Sequence, residues 1–335
     1  LGSGDPMRRC NSRPPLLFLF HSLPSAQPWR NRLSAVKILM LGLMCLLANQ
    51  CHVSAQGGSF QRSATGIGDL EQAVDALESA LRVARRDING RWIDSIPALA
   101  MLAECHWQLG DLGTSKALLD QAFEIAILNR GWLGRSGFDN ALQQGVARST
   151  PRWLWPEAAA VRVMPIASRI SFRSGDPLTG QRLRQGGTIQ EESLRPIDVV
   201  EIMRTLAVAA HRRRVILGPL AKDDPLASSL LQATLFPRGM QIPVGRSLIG
   251  AMRSVEHFSI HDDKRVMEEV AKTAMPGGSA HPLTSIALLS QAHTMASTKQ
   301  PAMALDIAAA AANTAAAIDQ PEWIGEAMQL AAGCA

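Results

Sequence analysis

The stretch Ile96–Leu128, IPALAMLAECHWQLGDLGTSKALLDQAFEIAIL, reads as two short amphipathic helices joined by a Gly110-Asp111 turn. In the first, Leu99, Leu102, Ala103 and His106 recur at the three- and four-residue spacing that puts them on one face. In the second, Leu112, Ser115, Leu119, Ala122 and Phe123 do the same. Small residues (Ala103, Ser115, Ala122) fall where two antiparallel helices come closest, and large ones fill the gap beside them, as an interaxial distance of about 8–10 Å requires. So short a hairpin cannot bury its apolar face alone and needs a neighbour, which points to an array of such pairs.

Working outward, Gly68–Leu81, GDLEQAVDALESAL, repeats the pattern of the second helix, with Gly68-Asp69, Ala73, Leu77 and Ala80 in matching places. Towards the C-terminus, Leu248–Phe258 is expected to pair with Lys264–Met275 across His261-Asp262-Asp263, and Pro282–Met295 with Pro301–Ile318. Trp323, Ala327 and Leu330 begin another unit. Between these blocks, Glu157–Phe172 has helical spacing despite Pro165, and Ser174–Glu192 reads as a loop. A clear helix opens near Pro196, carries Val199, Met203, Leu206 and Ala210 on one face, and stops at Gly218-Pro219. Asp223-Asp224-Pro225 reads as a cap and first-turn proline rather than a carboxylate pair for catalysis.

The arrangement resembles the tetratricopeptide repeat (TPR), whose pattern is matched here by Leu99, Leu102, Ala103, His106, Gly110, Asp111, Ser115, Leu119 and Ala122. His106 stands where tyrosine is usual, and Ser115 where alanine is. The 42 residues from Ala80 to Ala122 look like the longer repeat of the kinesin-light-chain group. The resemblance implies an all-α, right-handed solenoid of helix hairpins with a degenerate centre. It covers roughly half of the chain beyond residue 55 directly and the centre only by analogy. It also implies a protein or peptide partner held in a concave groove lined by first helices. Carried across, the outward places are Ala100, Glu104, Trp107 and Gln108, with Leu289 and His293 in the later repeat. Trp107 is the anchor if exposed and a packing residue if covered by the adjacent repeat.

At 335 residues and 47% hydrophobic, with no tyrosine and 4% aromatics, the composition favours helix over sheet. Arg30, Arg32 and Lys37 precede an apolar run, Ile38–Ala48, and then Val53-Ser54-Ala55. That is the order of a secretory signal peptide, with Gln56 as the expected mature N-terminus. The run falls short of the ~20 residues that span a bilayer, so an exported protein, periplasmic or extracellular and without a stable membrane anchor, is expected. Since the chain opens on Leu1, residues before about Arg30 read as upstream sequence. The expected division is residues 1–55 upstream region and signal, 56–67 flexible lead-in, 68–129 first repeats, 130–245 degenerate helical region and 246–335 last repeats.

Of 34 basic and 29 acidic residues, six basic and one acidic lie in residues 1–55, leaving 28 of each. The net charge of +5 therefore belongs to the presequence, and a globally basic nucleic-acid binder is not expected. Cys105 and Cys334 outline no disulfide framework.

Phosphate loops, dinucleotide fingerprints and familiar zinc signatures are absent from the sequence, so no cofactor, metal or catalytic residue is assigned. His257 and His261, with Asp262 and Asp263, read either as ligands or as a helix end followed by a capped helix start. Arg212, Arg213 and Arg214 read either as a patch for an anionic partner or as charges complementing a helix C-terminus. Fourteen arginines against seven acids between Arg130 and Arg214 sharpen the first alternative. The functional expectation is a non-catalytic scaffold for protein–protein interaction. Its alternative is a cell-envelope enzyme or polymer-binding helical protein using the arginine-rich centre, and a third is the leading part of a longer protein. Partner identity and oligomeric state are not written in the sequence.

Overall fold

The computed structural model describes residues 70–84, 86–87, 90–135, 143–144, 148–149, 160–167, 169–174, 193–234, 243–271 and 279–335. All of them belong to one unit, Cys45–Ala335. Most are helical, as the composition predicts. The expected signal segment, the lead-in and the expected loop after Ser174 lie outside the described residues.

The helices are α1 (Leu70–Val83), α2 (Ile96–Gln108), α3 (Leu112–Leu128), α4 (Trp132–Arg135), α5 (Val199–Leu217), α6 (Pro225–Ala233), α7 (Pro243–Ser259), α8 (Asp263–Val270), α9 (Thr284–Ser297), α10 (Pro301–Ala317) and α11 (Pro321–Cys334). The α2–α3 hairpin forms where Ile96–Leu128 predicts it. Leu99, Ala103, Ser115, Leu119, Ala122 and Phe123 are all buried between the two helices and their neighbours, and each large apolar side chain so buried contributes about 1.5–3 kcal/mol.

Its turn is a Schellman motif: Asp111 N–H donates to the His106 carbonyl and Gly110 N–H to that of Trp107, with Gly110 at φ +82°, a conformation glycine adopts without strain. The same six-residue closure recurs three more times, from Asp262 to His257, Gln300 to Met295 and Gln320 to Ala315. There the left-handed residue is His261, Lys299 or Asp319. In the first two of the four turns a histidine also faces the aspartate that caps the next helix: His106 and Asp111 are 3.6 Å apart, and His257 and Asp262 are 3.4 Å apart. Asp262 accepts from Arg265 N–H, so the capping alternative for that segment describes its geometry.

Helices adjacent in the chain pack together at most places, but α5 packs on α2, α3 and α7 rather than on α6. α2 packs on α1, α3 and α5; α3 on α5 and α6; α5 and α6 on α7; α7 on α8 and α9; and α9 and α10 on α11. Close approach of α10 to its neighbours is permitted by fully buried Ala304, Ala308, Ala311, Ala312 and Ala315. α5 sits between pairs and is buried on nearly every side. Asp198 caps it by accepting from Glu201 N–H at 3.0 Å, and Asp224 caps α6 by accepting from Leu226 and Ala227 N–H, as the Asp-Asp-Pro spacing predicts.

Two readings of the centre are corrected. Glu157–Phe172 does not resume helix where it is described. Arg162–Val163 (β5), Ile166–Ala167 (β6) and Arg169–Ser174 (β7) are strands, because Pro165 has no N–H to donate and holds Met164 extended, among β-branched residues that favour a pleated backbone. Pro196 does not open the helix either; it lies in β8 (Ser193–Asp198), antiparallel to β7 and opposite Ser171. β5 also pairs in parallel with β9 (Ser279–Ala280) and antiparallel with β4 (Arg148–Ser149), and β6 with β3 (Gln143–Gln144). A small pair, β1 (Arg86–Asp87) and β2 (Gly90–Arg91), precedes α2.

Candidate functional site

Four consecutive polar residues, His211 to Arg214, close the buried helix α5. At 100° per residue they point in different directions and reach several neighbouring helices. Arg212 donates to Glu104 of α2 at 2.6 and 2.9 Å and to Glu326 of α11 at 2.5 Å. Arg213 pairs with Asp224 at 2.6 Å and with Asp120 of α3. Arg214 donates to the Phe258 carbonyl at the end of α7 and lies over the Phe258 ring. His211 meets Glu326 at 2.5 Å. Two turns earlier, Arg204 donates twice to Glu201 at 2.8 Å and once to Glu322 of α11 at 3.3 Å.

Arg212 is the centre of this network. Its guanidinium carbon stands 4.8 Å from the Trp323 ring centroid and 5.3 Å from that of Trp107, a cation placed over two indoles with carboxylates at its donors. His211 stacks on Phe258 at 5.3 Å, meets Trp323 edge-on at 5.3 Å and lies 5.8 Å from His293 of α9. Its Nδ1 has no hydrogen-bond partner, nor does His293 Nε2, which lies 3.5 Å from Glu326.

Burial and charge set the protonation states. Burial disfavours the charges on Arg204 and Arg212, but their carboxylate partners outweigh it and raise both pKa values. Arg214, whose main influence is burial with Asp263 as partial compensation, is lowered to about 10. Burial likewise opposes ionisation of Glu326, yet His211, His293 and Arg212 beside it hold its carboxyl well below the usual range. Burial raises Glu322, with Arg204 only partly offsetting it, and lowers His211. The Cys105 thiol is pushed up to about 11 by burial and by Glu104, which keeps it protonated and unreactive at neutral pH.

The residues expected to line a groove take differing places. Glu104 is 1% exposed and its carboxylate is held by Arg212 and by Gln108, which donates to it at 3.2 Å. Ala100 and Leu289 are fully buried. Trp107 and His293 are half-buried, and Gln108 is exposed, so these three form the open rim of the cluster. The expected anionic-partner patch takes another form: Arg212 and Arg213 are buried and paired with carboxylates, because a helix enclosed on all sides turns its charges toward neighbours. Glu326, Glu322, Trp323 and Asp120 escape a reading by spacing, since each reaches the centre from a separate segment.

His211, His293 and Glu326 each bring one donor atom within 4.8 Å of the others, the single such trio among the described residues. No described helix is long and apolar enough to cross a membrane. No protein-family model, curated protein or solved structure matches the chain.

Proposed function

We propose that the protein is an exported, non-catalytic interaction scaffold, a TPR-like right-handed solenoid of helix hairpins that holds a protein or peptide segment at the rim formed by Trp107, Gln108 and His293. The observation that carries this reading is that four pairs of consecutive helices, α2–α3, α7–α8, α9–α10 and α10–α11, are each joined by the same turn geometry. The paired histidine and aspartate in two of those turns, His106 with Asp111 and His257 with Asp262, support a repeated unit. At the rim a half-buried indole lies beside a guanidinium already neutralised by carboxylates, so a partner gains aromatic contact without stripping water from a bare charge.

The test is a random peptide library panned on the purified full chain, followed by anisotropy titration of the enriched peptides. Trp107→Ala is expected to weaken them at least tenfold, with the far-ultraviolet dichroism unchanged. Failure to enrich any saturable binder, or binding indifferent to Trp107, overturns the reading. Export is tested separately: the N-terminal sequence of protein recovered outside the cytoplasm is expected to begin at Gln56.

A further inference from the structure

We infer that His211, His293 and Glu326 form a site for a single divalent transition ion, zinc being the ion whose donors they supply. Two imidazoles and a carboxylate from three helices, α5, α9 and α11, place their donor atoms within 4.8 Å of one another. Around a tetrahedral zinc with bonds near 2.0–2.1 Å, neighbouring donors sit about 3.3 Å apart. Glu326 and His293 are already at 3.5 Å. Glu326 and His211 are at 2.5 Å, so on admitting the ion that edge opens by under about 1 Å, while His211 and His293, whose donors lie within 4.8 Å, settle to the same spacing.

Three further observations converge on a cation. His293 Nε2, the nitrogen that faces Glu326 at 3.5 Å, has no hydrogen-bond partner, and in the tautomer with its proton on Nδ1 it offers a lone pair to a metal; His211 would offer Nε2, the nitrogen already against Glu326. The other Glu326 oxygen is held by Arg212 at 2.5 Å, the outer contact that orients a ligating carboxylate. Finally, the network that joins α2, α5 and α11 contains four carboxylates (Glu104, Glu201, Glu322, Glu326) against two guanidiniums (Arg204, Arg212). Carboxylates outnumber guanidiniums in that network, and a dication offsets the excess. Phe258 and Trp323 wall the histidine side, while partial exposure of His293, at 30%, leaves a way in and a fourth position for water.

This site shares His293 with the rim, but neither proposal needs the other. Its test uses the full chain without a histidine tag, stripped by chelator and titrated with zinc alone against a chromophoric competitor. One ion per chain with a dissociation constant below about 10 μM is expected, and cobalt in its place is expected to give the intense visible absorption of four-coordinate geometry. His293→Ala is partly exposed and keeps the fold testable where Glu326→Gln does not; it is expected to weaken zinc at least tenfold, whereas His261→Ala leaves affinity unchanged. Binding without a stoichiometry near one, a dissociation constant above 100 μM, or equal affinity in His293→Ala would overturn the inference.

Discussion

Replacing Arg212 with leucine removes the cation shared by Glu104 and Glu326. Glu104 then keeps only the 3.2 Å contact with Gln108, and it is 1% exposed, so water cannot take the place of the guanidinium. Glu326 keeps His211 and His293 but loses its 2.5 Å donor. Breaking a buried pair by removing one partner costs about 3–5 kcal/mol. With a urea dependence near 3 kcal/mol per molar, suited to a chain of this size, the midpoint of unfolding moves down by about 1–1.7 M. Replacing both partners with apolar residues is far gentler than orphaning one, so Arg212→Leu with Glu104→Leu is expected to recover most of that loss. Urea titrations of wild type, both single variants and the double variant complete the cycle. A midpoint change worth under about 1 kcal/mol for Arg212→Leu, or strictly additive effects in the double variant, would refute the assignment of Arg212 as the hub.

Three further outcomes follow from particular residues. His281 accepts from Leu283 N–H at 3.1 Å, lies 2.9 Å from Ser247 Oγ and is lowered by burial to about 3. Its neutral form is the folded one, so its contribution is complete above the unfolded value near 6.5 and is lost as pH falls toward 3; between pH 7.5 and 4.5 it should remove about 2–3 kcal/mol, with NMR showing a neutral ring at pH 5 in the folded protein. Glu256 runs the opposite way: burial raises it to about 8, so the folded state holds its proton more tightly and its contribution fades as pH rises from the ordinary carboxyl range through 8. Glu256→Gln should therefore become more stable relative to wild type by a few kcal/mol between pH 6 and 9, measured by denaturant midpoints at each pH. Lys299→Gly relieves a left-handed backbone at φ 61° on an exposed turn and should raise stability by about 0.5–1 kcal/mol.

The hairpins were legible where local rules suffice. Ile96–Leu128 carries its helices, its glycine turn and its capping aspartate within one short window, and α10 follows Pro301 as expected. The turns at His261, Lys299 and Asp319 were harder to read because non-glycine residues take the left-handed place there. The run Glu157–Phe172 misled because helical spacing of apolar residues says nothing of the N–H that Pro165 lacks. The arginines of α5 do close a helix, as one alternative had it, but their burial has a tertiary reason. A charged run reads as surface until the helix bearing it, VVEIMRTLAVAAHRRRVIL, is seen to be apolar on several faces at once, which is the signal of a helix enclosed by others. No local pattern joins Glu104, Arg212 and Glu326, since more than a hundred residues separate Arg212 from each of its partners.

The most direct test of the account is hydrogen exchange of the full chain, read peptide by peptide across α2, α5 and α11. If the Glu104–Arg212–Glu326 network ties these helices together, their slowest amides should exchange with one common opening free energy, and Arg212→Leu should lower all three in parallel. Exchange of α11 at a rate independent of α2 and α5, unchanged by that substitution, would contradict it.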